Sequence, residues 1–393
     1  MSAPTATPPT TPTRRSTLPA LTGSHRIGRV SMEIEDHDRL DPYAPDPSTP
    51  RRLVLWIWYP IERTSSGAPA ELLPGPWTPI ADQIGVDVQG VQTNAVTDAP
   101  AADRRSPVLL LSPSGFSPLL LGSLAEELAS HGYVVVGVNH TFETAVTVFA
   151  DGRVATMNPA ALGGALGPQV GPHEAAFRRR AEVCHYKAAD LRAVADHLGR
   201  LAPNAAGLTS GHLDLTSMGA LGHSFGGNAA LEWCRADPRC RASANLDGAV
   251  WTEVGTVGLP RPALQILADH PEFAMTGADA VAAGITADAA WHDAERMVAR
   301  DGWRTIDRLA SPGRTARIAG STHMSFMDVP FLPVRAGTPV AAMLAATTIR
   351  PERMWRLTSD LLLAFFDEHL DGFSDPVGAF SGTDRPEVSF GPP

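Results

Sequence analysis

The stretch MGALGHSFGGNAALEW, residues 218–233, carries the strongest local signal in this 393-residue sequence. Its strand-like apolar run ends in the pattern G-x-S-x-G at 222–226, and a helical pattern follows over 228–236. A serine on so sharp a strand-to-helix turn adopts a strained backbone, and glycines two residues away on each side leave room for it. The stretch therefore predicts that Ser224 is a nucleophile whose hydroxyl projects into a crevice.

Outward from this turn, short apolar runs alternate with helical patterns along the chain. The runs are apolar at consecutive positions, as is typical of strands that are buried on both faces of a mainly parallel sheet. We therefore predict a doubly wound α/β architecture with helices on both faces of the sheet. The predicted strands cover 51–60, 107–112, 133–138, 218–223 and 262–268, and the predicted helices cover 119–130, 175–201, 228–236 and 355–370.

Several segments do not follow this alternation of strands and helices. Residues 1–24 are rich in Pro, Thr and Ser and have little to bury, which predicts a disordered tail. We expect the catalytic domain over 25–373 and a loose C-terminal strap over 374–393. Loops or lid-like insertions over the site are predicted at 150–174, 271–310 and 329–352.

Composition and charge exclude several classes of partner. The chain is 44% hydrophobic and 19% charged, which is typical of a globular protein. Its 42 acidic and 32 basic residues form no long run of either sign. Because phosphate binding needs a concentrated basic face, we expect no nucleic-acid partner. No stretch approaches the roughly 18 apolar residues of a membrane-spanning helix, so no transmembrane segment is predicted.

The N-terminus and the cysteines bear on the cellular compartment. The first 24 residues contain an Arg pair but no apolar run that could form the core of a secretion signal, so we expect a cytoplasmic location. In a reducing compartment the three cysteines, Cys184, Cys234 and Cys240, are expected to be free thiols.

The candidates for the catalytic base are the histidines late in the chain, His292, His323 and His369. A G-x-S-x-G between strand and helix is typical of the α/β-hydrolase fold, which orders its triad as serine, acid and histidine. His223 adjoins the serine, but successive residues on such a turn point apart, so we interpret it as structural. His292 lies in a predicted insertion and His369 on a predicted helix. His323 follows the possible strand ARIA in a loop of small residues, and it is the predicted base.

Two aspartates are candidates for the acid that orients this histidine. Asp247 follows the run ASANL and Asp269 follows LQILA, so each lies at the expected carboxyl end of a strand. The acid accepts a hydrogen bond from the histidine Nδ1–H, which holds the tautomer and stabilises the imidazolium. The pattern alone leaves both candidates open.

An oxyanion hole needs two backbone N–H groups. One is expected from Phe225, the residue after the nucleophile, and the other from the loop SPSGFSP at 112–118, at Ser114 or Phe116. The sequence contains no H-E-x-x-H, C-x-x-C or EF-hand spacing and no G-x-x-x-x-G-K-[ST] loop. We therefore expect catalysis without a metal or another cofactor.

Motifs along most of the chain resemble those of the platelet-activating factor acetylhydrolase family, calcium-independent lipases and esterases of animals and bacteria. The resemblance extends from about residue 26 to residue 372. GHSFGG followed by LD and by G-S-x-H is a specific combination. The matching motifs are DPYAP, WYP, SPSGF, LASHGY, RRRAEVCHYKAADL, GHSFGG, ANLDGA, GSTHMSFMDVPF and LLLAFFDEHLDG.

The resemblance implies an α/β-hydrolase fold and a set of catalytic residues. Ser224 is then the nucleophile, Asp247 the acid and His323 the base, with the Phe225 N–H in the oxyanion hole. The resemblance thus favours Asp247 over Asp269.

The first loop departs from the family pattern. The family usually has H-G-x or P-G-x there, whereas this chain has SPSG at 112–115. An ungapped comparison gives Ser114 as the second oxyanion donor, and one inserted residue gives Phe116.

The resemblance also implies an ester substrate, either a small molecule or a lipid. The family prefers short or oxidised acyl chains at the second glycerol position of phospholipids, and its bacterial relatives include esterases and polyester hydrolases. Acyl transfer, amide hydrolysis and non-catalytic binding of a small molecule on the same fold are the alternatives. Side chains that could line an apolar acyl pocket are Phe116, Leu119, Trp251, Phe326 and Phe331.

Overall fold

The computed structural model describes residues 18–162, 172–204, 206–310, 312–371 and 385–392. The strands are β1 (Arg26–Leu40), β2 (Pro50–Ile61), β3 (Pro69–Glu71), β4 (Gln92–Thr97), β5 (Ser106–Ser112), β6 (Val134–Asn139), β7 (Val146–Val148), β8 (Val154–Thr156), β9 (Leu213–His223), β10 (Cys240–Leu246), β11 (Ala263–Leu267), β12 (Gly313–Ile318) and β13 (Val388–Phe390). The helices are α1 (Pro79–Ile84), α2 (Gly122–Ser130), α3 (His173–Leu198), α4 (Phe225–Ala236), α5 (Val254–Val257), α6 (Gly277–Ala282), α7 (Ala289–Leu309), α8 (Pro339–Leu344) and α9 (Pro351–Phe366).

Eleven of the described strands form one sheet, in the order β13-β12-β11-β10-β9-β5-β6-β2-β1-β4-β3. Each strand from β12 to β6 runs parallel to its neighbours within that series. Antiparallel strands β13 and β2 flank the series. The mainly parallel sheet predicted from the sequence is thus confirmed. Every residue of β5 and β6 is buried, as consecutive apolar residues predict.

Helices cover both faces of this sheet, so the doubly wound arrangement is confirmed too. On one face α2 and α9 contribute Leu128 and Leu361 to a hydrophobic core. On the other face α3, α4 and α7 contribute Leu191, Trp233 and Trp303 to a second core. The loops that follow the parallel strands gather at one edge of the sheet, where folds of this kind place their sites.

The assignment of 271–310 to a loop or lid-like insertion is wrong for its second half. Residues Ala289–Leu309 form α7, a helix of 21 residues. Ala299, Trp303 and Ile306 lie at helical spacing along it and are buried against the sheet. This segment is therefore a helix of the core.

The other two predicted insertions contain short elements. β8 lies in the stretch 150–174 and pairs with β7, and residues 163–171 of that stretch lie outside the described part of the chain. The helix α8 lies in the stretch 329–352. β1, which pairs along its length with β2, has no counterpart among the predicted strands.

The predicted tail and strap lie partly outside the described residues, which begin at 18 and leave out 372–384. At the end of the predicted tail, the Thr22 N–H donates to Glu127 Oε2 at 2.9 Å, so this part lies against α2. Within the predicted strap, β13 pairs with β12 and extends the sheet. The domain limits stay predictions.

The cysteines differ from expectation. Cys234 and Cys240 form a disulfide between the end of α4 and the start of β10, which corrects the prediction of three free thiols. Their Cα atoms are 4.8 Å apart, a separation that a disulfide can span. Cys184 is free and buried. No helix among the described residues is both long enough and apolar enough to cross a bilayer.

Candidate active site

Ser224 lies on the turn that joins β9 to α4. Its backbone has φ 58° and ψ −123°, a region that residues other than glycine rarely occupy. Among the described residues, the other non-glycine positions with positive φ are Asp98, Phe142 and Asp247. A strained conformation of this kind persists only where the surrounding structure fixes it, and strain of this kind clusters at functional sites.

Gly222 and Gly226 leave the space that this turn requires. A Cβ atom on Gly222 would overlap the carbonyl oxygen of Gly226, and one on Gly226 would overlap the carbonyl oxygen of Ser112. Both obstacles are backbone atoms, which cannot move aside as the end of a flexible side chain can. The glycines of the G-x-S-x-G pattern therefore let β9, α4 and β5 approach one another closely.

Asp247, and not Asp269, contacts the predicted base. The Asp247 carboxylate is buried directly after β10, and its Oδ2 lies 2.7 Å from His323 Nδ1. Asp269 is exposed, and its Oδ2 accepts a hydrogen bond from the Gly320 N–H at 3.2 Å. Asp247 thus contacts the imidazole of His323, whereas Asp269 contacts the loop that carries this residue.

His323 lies in the loop after β12, and neighbouring groups hold that loop in place. The Thr322 N–H donates to Ser325 Oγ at 2.9 Å. From the other side, His223 Nε2–H donates to the His323 carbonyl oxygen at 2.8 Å, and the two rings lie 4.4 Å apart. Burial, together with the nearby charge of His323, lowers the pKa of His223 to about 3. His223 is therefore a neutral ring that supports the loop of His323.

A second histidine, absent from the predicted site, also binds Asp247. His270 Nε2 lies 2.7 Å from Asp247 Oδ1, and the Ala268 N–H donates to the same oxygen at 2.8 Å. The other ring nitrogen of His270 lies 2.8 Å from Glu272 Oε1. Burial alone would raise the pKa of Asp247, but the charges and hydrogen bonds of His270 and His323 hold it well below its usual range. The Asp247 carboxylate is therefore ionised.

A buried ion pair contacts the loop 112–118 on its protein-facing side. Lys187, the only lysine of the chain, donates from Nζ to the Pro113 carbonyl oxygen at 3.1 Å and pairs with Glu143. Both charged side chains are buried. The two residues weighed as the second oxyanion donor, Ser114 and Phe116, both line the cavity at Ser224. Each therefore remains a candidate.

A second serine–histidine–aspartate arrangement lies beside this loop. Ser112 Oγ lies 2.9 Å from His140 Nε2, and His140 Nδ1 lies 2.8 Å from Asp190 Oδ2. Asp190 also pairs with Arg51, at 2.6 Å, and with Arg39. Ser112, His140, Asp190 and Arg51 are each at most 1% exposed, so solvent does not reach this second arrangement.

Ser224, Asp247 and His323 line one cavity of about 350 Å³. Among the predicted acyl-pocket residues, Phe116 and Trp251 line it as well. Its other walls are largely apolar. They include Met157, Leu162, Ala249, Phe273, Trp303, Met324 and Met343, with Gln83, Arg180 and Glu295 as polar members.

The remaining predicted pocket residues lie elsewhere. Leu119 and Phe326 are buried in the hydrophobic core at 0% and 6% exposure. Phe331 is half-buried and is not among the described residues that line the cavity. The assignment of these three to the pocket is corrected, because an apolar residue close to the site in sequence can equally face the core.

One group among the described residues has the composition of a metal site. It consists of His185, Glu232 and Glu253, with His185 Nε2 at 3.0 Å from Glu253 Oε2. None of the three lines the cavity at Ser224. Arg235 already pairs with Glu232, which weakens the attraction of the group for a cation.

Comparison with known proteins supports the fold and the resemblance. No family model matches the sequence. A curated relative from Arthroderma benhamiae, described as "Probable 1-alkyl-2-acetylglycerophosphocholine esterase", is 30% identical over 275 residues. The match covers 63% of this chain and 64% of the relative, so the chain spans just under two thirds of that protein's length.

A solved structure extends the likeness over nearly the whole chain. It is a ferulic acid esterase from Streptomyces cinnamoneus, with a TM-score of 0.75 and 27% identity, and the match covers 95% of this chain and 99% of that one. The predicted α/β-hydrolase fold is confirmed by this match. The predicted resemblance to the platelet-activating factor acetylhydrolase family is confirmed by the curated relative.

Proposed function

We propose that this protein is a carboxylic ester hydrolase that forms an acyl-enzyme on Ser224. The observation that carries the proposal is the bond of 2.7 Å between His323 Nδ1 and the buried Asp247 carboxylate, at a cavity that also contains Ser224 on its strained turn. Both relatives are named as esterases, which supports the ester as the bond that is cleaved.

In the proposed reaction, Ser224 Oγ attacks the ester carbonyl carbon and His323 Nε2 takes the hydroxyl proton. The imidazolium then passes this proton to the departing alcohol, which leaves the acyl group on Ser224. Water repeats the sequence and releases the acid. Asp247 remains a carboxylate throughout, because its part is to hold the imidazole tautomer and to stabilise the positive ring.

The oxyanion is proposed to bind two backbone N–H groups. Phe225 is the first residue of α4, and the first N–H groups of a helix have no acceptor within it. We assign the second donor to Ser114, with Phe116 as the alternative. The contact between Lys187 and the Pro113 carbonyl then acts on catalysis by fixing the loop that carries this donor.

The proposed substrate is an ester with a short or flat acyl group, as in a platelet-activating factor acetylhydrolase-like esterase or lipase. A cavity of about 350 Å³ with Phe116 and Trp251 in its walls suits such a group better than a long, fully enclosed chain. The names of the relatives specify an acetyl ester and a ferulic acid ester, which fit the same range.

A substrate panel tests this proposal. The purified protein is assayed on p-nitrophenyl esters from acetate to decanoate, on a feruloyl ester, and on a p-nitroanilide as the amide. We expect kcat/KM to be largest for the short or aromatic esters and the anilide to be turned over far more slowly. A protein that cleaves only the anilide, or none of the compounds, would contradict the proposal.

A further inference from the structure

Asp247 has two histidine partners, one on each carboxylate oxygen. His323 Nδ1 lies 2.7 Å from Oδ2, and His270 Nε2 lies 2.7 Å from Oδ1. A histidine–aspartate pair needs only the first of these contacts to orient the base. The second contact calls for a separate explanation.

The bonding of His270 fixes its charge. Its Nε2 faces the Asp247 carboxylate and its Nδ1 faces the Glu272 carboxylate at 2.8 Å. Ionised carboxylates only accept hydrogen bonds, so both ring nitrogens must donate, and the ring must be an imidazolium. Burial alone would lower the pKa of His270, but Asp247 and Glu272 raise it to about 10.

Aromatic rings hold His270 in this orientation. Its ring stacks on Phe273, with centroids 4.9 Å apart, and on Trp303, with centroids 5.6 Å apart. Both rings also line the cavity at Ser224. Aromatic faces attract a cation, so this stacking stabilises the protonated ring as well as its position.

Other titratable groups surround the two histidines. His292 Nε2 contacts the Glu272 carbonyl oxygen at 3.2 Å, His223 contacts the His323 carbonyl oxygen, and Asp269 accepts from Gly320 in the same loop. The cavity also contains the ion pair of Arg180 and Glu295. In contrast to these groups, His270 forms a hydrogen bond with the same carboxylate as His323.

We propose that His270 is a positioning residue that holds Asp247 against His323 and, as an imidazolium on the same carboxylate, opposes protonation of His323. This inference rests on the proposed function, because it assigns His323 the part of the base. A base that resists protonation stays active in more acidic solution. The consequence is an esterase whose activity extends to lower pH than its histidine–aspartate pair alone would allow.

Two substitutions separate the charge of His270 from its hydrogen bond. In His270→Gln, the side-chain amide can still donate to Asp247 Oδ1, but the positive charge is lost. In His270→Ala, both are lost. The matched control is His292→Gln, because His292 is a neighbouring histidine, 6% exposed, that contacts a carbonyl oxygen. Each variant is checked for folding by circular dichroism and thermal unfolding.

The readout is the pH dependence of kcat/KM on one p-nitrophenyl ester. We expect the acid limb of His270→Gln to move to higher pH by about one unit, with a plateau close to that of the unsubstituted protein. His270→Ala should show the same displacement and lose about ten- to a hundredfold in plateau kcat, with little change in KM. His292→Gln should follow the unsubstituted profile.

An acid limb of His270→Gln that coincides with that of the unsubstituted protein, in a folded variant, overturns the inference and leaves His270 with a structural role only. The proposed function is tested separately by whether the unsubstituted protein hydrolyses esters at all. Its failure and the failure of this inference are therefore distinguishable.

Discussion

Two histidine–aspartate pairs with bonds of nearly equal length lie near a serine, one in the cavity that Ser224 lines and one at Ser112. The His323–Asp247 and His140–Asp190 pairs are joined at 2.7 and 2.8 Å. Yet the first arrangement lines a cavity, whereas Ser112, His140 and Asp190 are at most 1% exposed. The bond from histidine to aspartate does not by itself distinguish a site from a structural network.

The surroundings of Ser224 and Ser112 differ more clearly in backbone conformation and in charge. Ser224 occupies a strained turn, whereas Ser112 is the last residue of the regular strand β5. Burial alone would raise the pKa of Asp190, but Arg51 and His140 hold it well below its usual range, so its charge is already neutralised by arginine. Burial and the charge of Lys187 lower the pKa of His140. The arrangement at Ser112 is thus a buried network whose charges are paired, whereas the proposed catalytic residues line a cavity.

The largest expected effect distinguishes the two serines. Ser224→Ala should lower kcat for p-nitrophenyl butyrate on the order of a million-fold, because the nucleophile is removed. Ser112→Ala removes only a buried hydroxyl and should cost less than about tenfold. Steady-state kinetics on the two purified, folded variants measures both losses. Equal losses, or a greater loss at Ser112, would reverse the comparison.

The next effect distinguishes the two acid candidates. Asp247→Asn should lower kcat about ten-thousand-fold with little change in KM, because the imidazole can then adopt the wrong tautomer. Asp269→Asn should lose less than about tenfold, since Asp269 contacts the Gly320 N–H and not the ring. If Asp269→Asn lost most of its kcat and Asp247→Asn did not, Asp247 would not be the acid.

A smaller effect, on stability, characterises the buried arrangement. Asp190→Asn leaves the guanidinium of Arg51 buried with one charged partner fewer, and the free energy of unfolding should fall by about 3 kcal/mol. The control lies on the same helix α3, where Asp196 pairs with Arg239 at the surface. Asp196→Asn should cost less than about 1 kcal/mol. Urea unfolding of both variants measures the difference, and similar losses would show that Asp190 does not brace the structure.

His270 is expected to give the protein a pH dependence of stability. Its pKa rises from 6.5 to about 10 on folding, so its contribution is fully present below about pH 6.5 and is lost as the pH rises through about 10. The unsubstituted protein should therefore have a larger free energy of unfolding than His270→Gln, and the difference should be greatest at acidic pH. A difference that grows between pH 7 and pH 10 would contradict this sign.

The sequence predicted those parts that depend on local pattern. Ser224 could be predicted because two glycines and a change from a strand pattern to a helical pattern surround it. His323 could be predicted because it follows a short strand late in the chain. The helix α7 had a usable signal in the helical spacing of Ala299, Trp303 and Ile306, but the segment did not follow the alternation of strands and helices on which the prediction rested.

Other parts of the site depend on contacts between distant segments. Asp247 and Asp269 follow neighbouring strands, and only the resemblance to a family favoured the first. His270 lies one residue beyond Asp269, after β11. No spacing in the sequence shows that its ring contacts Asp247, at the end of the neighbouring strand β10. Lys187 was missed because a lysine is rarely fully buried, and its place beneath the loop 112–118 depends on Glu143 from another segment.

The most direct measurement is the site at which a fluorophosphonate reacts. In such a probe the phosphorus atom is attacked by the serine hydroxyl that a neighbouring base activates, fluoride leaves, and the serine is phosphonylated at the oxygen that an ester would acylate. After incubation of the unsubstituted protein, peptide mapping by mass spectrometry should find one adduct, on the peptide that contains Ser224, and none on the peptide that contains Ser112. The absence of any adduct, or an adduct on Ser112 or another serine, would contradict the assignment of Ser224 as the nucleophile.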